Sequence, residues 1–296
     1  QKTALKTNTL GTVGTDAEGM NRLDWLRGVN TLEERFAGGV FRNRLVNVLG
    51  DIVNSDPIYA KNEDYGYKAL PTTVTGQSSY EAYLQAKASR IPMLYAGAND
   101  GMLHGFRADL GNASSGRELL AFVPNAVYPN LSKLTDPNYV HTYYVDGPPT
   151  VGDAYLGGWK TLLLAGLGKG GKSIYALDVS NPSGFVAANV LWEYFGGSGD
   201  TGGTGTTDAN GLGYTYSKPQ IALLNDGTWA AIFGNGYNSA AERAFLYIVN
   251  LQTGSLIKKI ATNTAIGNGL STPTLYDNNG DHIIDFVYAG DLQGNL

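Results

Sequence analysis

Ser173-Ile174-Tyr175-Ala176-Leu177-Asp178 is one of three related stretches, and their recurrence decides the fold. Asp100-Gly101-Met102-Leu103-His104-Gly105-Phe106 precedes it, and Phe245-Leu246-Tyr247-Ile248-Val249-Asn250 follows. Aligning Leu103, Ile174 and Leu246 gives separations of 71 and 72 residues. Each stretch meets a Gly-containing turn and then another strand-like run: Glu118 to Phe122, Val190 to Phe195, Leu256 to Ile260. A hairpin stands upstream of the second and third. It runs Pro149-Thr150-Val151, Gly157-Gly158-Trp159, Leu162 to Gly166 in one copy, and Pro219-Gln220-Ile221, Asp226-Gly227-Thr228-Trp229, Ala231 to Gly234 in the next. The hairpin begins again at Pro273 and reaches Gly290. Four strands per unit, repeated, predict the blades of an all-β β-propeller. The period exceeds the ~40–45 residues of a compact blade, so long loops are inserted. Gly196 to Gly213, rich in Gly, Thr and Ser, reads as one such flexible excursion. Asp291 to Leu296 begin another copy and stop, so the chain reads as cut mid-blade.

Composition agrees with short strands and tight turns. The 296 residues include 40 Gly and 19 Tyr, and only 16% are charged. A net charge of −5 leaves no basic footprint for nucleic acid. Cysteine is absent, which removes disulfides and thiolate metal sites. No apolar run approaches the ~18 residues that span a bilayer, and no signal segment opens the chain.

Ahead of the repeats, residues 1–40 read as an extended or poorly ordered lead-in, and 41–296 as the propeller domain. Asn21 to Arg27 has the makings of a short helix, and Arg42 to Val53 reads as a strand. Residues 61–77 look like an insertion. Ser78 and Glu81 stand at capping-box spacing and open a helix over 79–89, with Tyr80, Tyr83, Leu84 and Lys87 on one face.

In the last hairpin the turn is Asp277-Asn278-Asn279-Gly280-Asp281-His282-Ile283-Ile284-Asp285. Side-chain oxygens fall at 277, 279 and 281, and a fourth closes the turn at 285. A curled backbone with that alternation aims successive oxygens at one centre, as a hard cation such as Ca²⁺ requires. A polar hairpin turn with no ligand is the alternative, because turns favour Asn, Asp and Gly in any case.

Two other patterns carry no chemistry. Gly166-Leu167-Gly168-Lys169-Gly170-Gly171-Lys172-Ser173 fits the Walker A spacing, but a strand-like run follows it where phosphate binding needs a helix. Nucleotide binding is therefore not expected. His104, His141 and His282 show neither metal nor triad spacing, and His104 reads as a packed, hydrogen-bonded ring. No catalytic set emerges, so the chain is not expected to be an enzyme.

Longer stretches resemble one family. Leu49-Gly50-Asp51-Ile52-Val53-Asn54-Ser55-Asp56-Pro57-Ile58-Tyr59, Tyr95 to His104, Glu118 to Pro124, Tyr143 to Gly147 and Tyr288 to Leu296 occur in the order found in type IV pilus tip-associated adhesins (PilC/PilY). The resemblance covers roughly residues 40–296. It implies a modified, quinoprotein-like propeller in a large exported protein that acts in pilus assembly, twitching motility and surface adhesion. The expected location is extracellular, at the pilus tip or outer-membrane surface, with minor pilins and host or abiotic surfaces as partners. Calcium is implied to tune extension against retraction. The family's calcium motif falls here on Asp277, Asn279, Asp281, Asp285 and the carbonyl of Ile283. Its sixth position, commonly Gly, is His282, where a φ above zero is strained. The chain has no Arg-Gly-Asp tripeptide. A quinone-dependent dehydrogenase shares the propeller and the use of calcium and is the alternative reading. It would bring a vicinal cysteine pair, which this chain lacks.

Overall fold

Leu162-Leu163-Leu164-Ala165 shows no polar alternation because both faces of its strand are covered. In the computed structural model, which describes residues 1–45, 47–195, 211–262 and 264–296, these four side chains are fully buried. Leu163 and Ala165 pack toward one neighbouring sheet, and Leu162 and Leu164 toward the other. A strand between two sheets reads as a continuous apolar run for this reason.

Three four-stranded antiparallel sheets follow one another along the chain, each with its strands in sequence order. The first holds β1 (Ile58–Ala60), β2 (Met93–Gly97), β3 (Leu103–Arg107) and β4 (Glu118–Phe122). The second holds β5 (Thr150–Tyr155), β6 (Trp159–Gly166), β7 (Ser173–Asp178) and β8 (Val190–Phe195). The third holds β9 (Gln220–Leu223), β10 (Trp229–Gly234), β11 (Phe245–Asn250) and β12 (Leu256–Ala261). A two-stranded sheet, β13 (Thr274–Tyr276) with β14 (Phe286–Tyr288), follows. These are propeller blades, with β5 lying beside both β1 and β9.

The repeat extends to a backbone irregularity. The pairing of the third strand with the fourth shifts register between Gly105 and Phe106, between Ala176 and Leu177, and between Ile248 and Val249. Those positions coincide in the alignment of Leu103, Ile174 and Leu246. A bulge there sharpens the twist of each blade at the same point.

Three apolar clusters join successive sheets. Met93, Tyr95, Leu103 and Leu120 meet Leu163, Tyr175 and Leu177 in the first. Leu162, Ile174 and Trp192 meet Leu223, Ala231 and Phe233 in the second. Ala222, Ala230 and Ile232 meet Leu275, Ile284 and Val287 in the third. Outermost β12 is largely exposed and carries Lys258 and Lys259, a charged edge of the kind that discourages strand pairing between molecules.

Polar bonds tie each blade to the next. Asn99, just after β2, accepts the Tyr144 N–H at 3.0 Å. Leu167 N–H, after β6, donates to Thr215 Oγ1 at 2.8 Å. Asn235, after β10, accepts the N–H groups of Phe245 and Leu270, both at 3.0 Å, and donates to the carbonyls of Gly211 and Arg243.

Several local expectations are corrected. Where the first residues read as an extended lead-in, α1 (Lys2–Lys6) and α2 (Asp16–Leu26) form, and the short helix expected at 21–27 is the second half of α2. The capping box is Thr15 with Glu18: Thr15 N–H donates to the Glu18 carboxylate at 2.6 Å, and Glu18 N–H returns to Thr15 Oγ1. Trp25 and Leu26 then join the first cluster. No strand forms among the described residues of 42–53. A strand needs a ladder, whereas this run is held by side chains. The Arg44 guanidinium lies over the Trp25 ring at 4.0 Å and bonds Glu33, and the Asp100 carboxylate accepts the Gly50 N–H at 2.7 Å.

The expected helix near 79–89 is α3 (Tyr80–Lys87), with Tyr80 and Lys87 buried. Its cap is not the Ser78–Glu81 pair: a 3₁₀ turn over Gln77–Ser79 leads in, and no side chain caps the helix. Residues 196–210 of the expected excursion lie outside the described residues. No described helix is long and apolar enough to cross a membrane.

Candidate functional site

The turn between β13 and β14 is built around Asp277. Its Oδ1 accepts the N–H groups of Asn279, Gly280 and Asp281 at 3.2, 2.7 and 3.3 Å, and its Oδ2 accepts that of His282 at 2.7 Å. One carboxylate thereby curls five residues of backbone around itself. Partial burial pushes the Asp277 carboxyl upward, but the bonds from His282, Gly280, Asp281 and Asn279 outweigh it and hold the group below the usual carboxylate value.

The other oxygen-bearing side chains line the same curl. Asp281 Oδ1 accepts the Ile283 N–H at 2.9 Å, and Asp281 Oδ2 accepts the Asn279 amide at 3.1 Å. Asn279 Oδ1 accepts the Asp281 N–H at 3.1 Å. Asp285 closes the turn: its Oδ2 takes the Asn278 N–H at 2.8 Å, and its own N–H reaches the Tyr276 carbonyl. Asp277, Asn279 and Asp281 are thus brought together, and Asp285 stands across the turn from them. Among the described residues no three carboxylate or imidazole side chains converge closely enough to hold a metal ion by themselves. A cation here therefore needs the Asn279 amide oxygen and a backbone carbonyl as well. The donors are all oxygen, the set a hard cation prefers.

The backbone takes the conformation that the pattern demands. Gly280 has φ of 79° and His282 of 63°, so the sixth position does sit in the left-handed region although it is not glycine. The far side of the turn is anchored. Ile283 packs in the second cluster and Ile284 in the third, and Ile284 N–H donates to the Leu223 carbonyl at 2.9 Å.

The Gly-rich turn before β7 has a different use. Ser173 opens a strand, so no helix N-terminus faces the glycines. They serve close approach of backbones: a Cβ on Gly170 would sit 1.8 Å from the Tyr144 carbonyl oxygen, and one on Gly166 2.5 Å from that of Thr215. Lys172 is engaged too, its ammonium donating to the Asn238 carbonyl at 2.5 Å.

Sequence reasoning missed one buried charge cluster. Lys87 Nζ lies 2.6 Å from Asp153 Oδ2, with both side chains almost wholly enclosed. Asp153 also accepts the hydroxyls of Tyr80 at 3.0 Å and Thr161 at 2.7 Å. Spacing puts Lys87 on one helix face with Tyr80, Tyr83 and Leu84. A lysine among apolar and aromatic residues on that face was the available signal for a buried acidic partner.

Comparison with known proteins identifies the relatives of this arrangement. A family model described as the PilY1 β-propeller domain matches residues 49–296. The type IV pilus biogenesis factor PilY1 of Pseudomonas aeruginosa (strain PAK) is 42% identical over 288 residues, covering 95% of this chain and 23% of that protein. A PilY1 homologue from Xylella fastidiosa (strain Temecula1) is 41% identical over 292 residues, covering 93% of this chain and 19% of that protein. The crystal structure of the P. aeruginosa PilY1 C-terminal domain is similar with a TM-score of 0.61 at 38% identity, covering 80% of this chain and 44% of that one. The chain spans about a quarter or less of the length of these curated relatives.

Proposed function

Because this chain belongs to the PilY1 β-propeller family, we propose that it is a non-enzymatic, calcium-binding part of a type IV pilus biogenesis factor. Curated relatives bear that role in their names, and a pilus-associated, outward-facing location follows from it. The observation that carries the calcium reading is the turn at Asp277, where five residues curl around one carboxylate with further oxygens at alternate positions. Asp277, Asn279, Asp281, the carbonyl of Ile283 and Asp285 would hold the ion. Bound calcium would neutralise three carboxylates crowded into nine residues and stiffen the β13–β14 hairpin. In the whole protein that stiffening would bias the balance of pilus extension and retraction, in contact with minor pilins and with host or abiotic surfaces.

Calorimetric titration of the full-length protein with calcium tests the reading. Heat of binding is expected below millimolar calcium. Asp281→Ala is expected to abolish it and Asn279→Ala only to weaken it, since the first removes a charge as well as an oxygen. Calcium at 100 times its dissociation constant should raise stability by about 2.7 kcal/mol. Absence of heat up to millimolar calcium, at neutral pH and without chelator, would leave the turn as only a turn. Twitching of cells carrying Asp281→Ala, compared with wild type, tests the motility half.

A further inference from the structure

We infer that His282 is a positioning residue: its ring braces the Asp277–Asp285 turn against the insertion between β1 and β2. Where the inference concerns calcium it rests on the reading above, but the brace itself does not. The imidazole meets the Tyr67 ring edge to face, at 6.0 Å between centroids and 84° between planes. Opposite it the insertion carries Gly66, in a left-handed conformation of its own at φ 80°. A Cβ on Gly66 would lie 2.6 Å from His282 Cε1 and 2.9 Å from Nε2. The glycine thus makes the space that the imidazole fills. A glycine at 282 would take the left-handed backbone at no cost but would leave that space empty. The histidine accepts the strain and makes the contact.

The insertion is a firm support. Tyr67 packs against Trp159 at 5.6 Å, Trp229 at 5.0 Å and Tyr80 at 5.4 Å, which are rings of the second blade, the third blade and α3. Trp159 Nε1–H donates to the Gly76 carbonyl at 2.9 Å, and the buried Lys87–Asp153 pair ties α3 to β5. The insertion from the first blade therefore crosses two blades to reach the turn of the last hairpin.

Position in the turn gives the contact its consequence. His282, Ile283 and Ile284 lie between Asp281 and Asp285 in the chain, and all three are anchored: His282 by the insertion, Ile283 by the aromatic cluster, Ile284 by the Leu223 carbonyl. Holding these three residues sets the separation of the two carboxylates that flank them. It also gives the state of the turn a route to Trp159 and Trp229.

Hydrogen exchange read by mass spectrometry on the full-length protein tests the brace, with wild type and His282→Asn compared first without calcium and then in 1 mM calcium chloride. Asparagine tolerates the left-handed backbone but has no ring. Without calcium, exchange over residues 64–70 is expected to rise about fivefold in the variant, the scale of a lost ring pair. Exchange in β10 and β11 should stay unchanged, which checks that the blades are intact. With calcium, wild type should gain protection over both 277–285 and 64–70, and the variant over 277–285 alone. Tyr67→Leu, which removes the ring from the other side, should speed exchange over 277–285 by a similar factor. Equal exchange over 64–70 in wild type and His282→Asn overturns the brace. No calcium effect anywhere in wild type overturns the cation reading, and the metal-free comparison then decides the brace alone.

Discussion

His104 shows how one residue in a repeated strand takes on a role that its equivalents do not have. In the alignment of Leu103, Ile174 and Leu246 its equivalents are Tyr175 and Tyr247, both buried tyrosines. His104 is buried on β3 between two acids, with Nδ1 2.5 Å from the Glu118 carboxylate and Nε2 3.0 Å and 3.1 Å from the oxygens of Asp100. The Phe106 ring stacks on it at 5.6 Å. Burial alone would push the imidazole's pKa down, but the Asp100 and Glu118 bonds and charges outweigh it, and the folded value lies above the ordinary histidine value. The unfolded chain therefore loses this proton at a lower pH than the folded one. Stability from the site is complete below about pH 6.5 and is lost as pH rises through the folded value. Urea midpoints measured from pH 5.5 to 9 are expected to fall toward high pH in wild type, and His104→Gln should flatten that slope. An unchanged slope in His104→Gln would show that the imidazole titrates alike in the folded and unfolded chain.

At the scale of the element, α3 is short and uncapped, and its eight residues would not persist alone in water. Burial of one face and the Lys87–Asp153 pair hold it. Burial pushes the Asp153 carboxyl upward against the bonds from Lys87, Thr161 and Tyr80. Removing one partner leaves the other enclosed without compensation, so Lys87→Ala is expected to cost about 3–5 kcal/mol in urea unfolding. Replacing both with apolar residues, Lys87→Met with Asp153→Leu, should cost far less than Lys87→Ala with Asp153 retained. A single-variant loss under about 1 kcal/mol would mean that water reaches the cluster. Firmness of α3 matters beyond the helix, because the insertion it ends carries Tyr67 to the turn at Asp277.

Over the whole molecule, apolar clusters between sheets supply the bulk of the burial, and the asparagines after the second strands set how the blades meet. Asn235 is fully buried and joins four backbone groups from three segments of the chain. Asn235→Ala would strand two buried N–H donors and two carbonyls, at an expected cost of about 3 kcal/mol or more. Since Leu270 leads into β13, the loss should also show as faster hydrogen exchange in β13 and β14, at the far end of the chain from the first blade. A cost confined to β10 and β11 would mean that Asn235 serves its own blade only.

The blades themselves were legible from the sequence. Three apolar strands at nearly equal spacing, each followed by a turn and another strand, have few ways to bury both faces except by stacking as sheets. The alternating oxygens of 277–285 were legible for a similar reason: a turn's geometry is set by the residues within it, and Asp277 collects its own neighbours' N–H groups. What local pattern does not hold lies in contacts between distant segments. The run at 42–53 read as a strand from its apolar residues, yet its described residues join no ladder, and arginine contacts and the Asp100 carboxylate hold it instead. Of the helix over 16–26 only the second half was legible, as a short helix at 21–27, because its first turn is fixed by the Thr15–Glu18 cap and its length by packing with Leu131 and Leu134. His282 read as a departure from a glycine position. Only the approach of Gly66 and Tyr67, more than 200 residues earlier in the chain, gives its ring a partner, because ring contacts depend on where the backbone returns and not on which residues are adjacent in sequence.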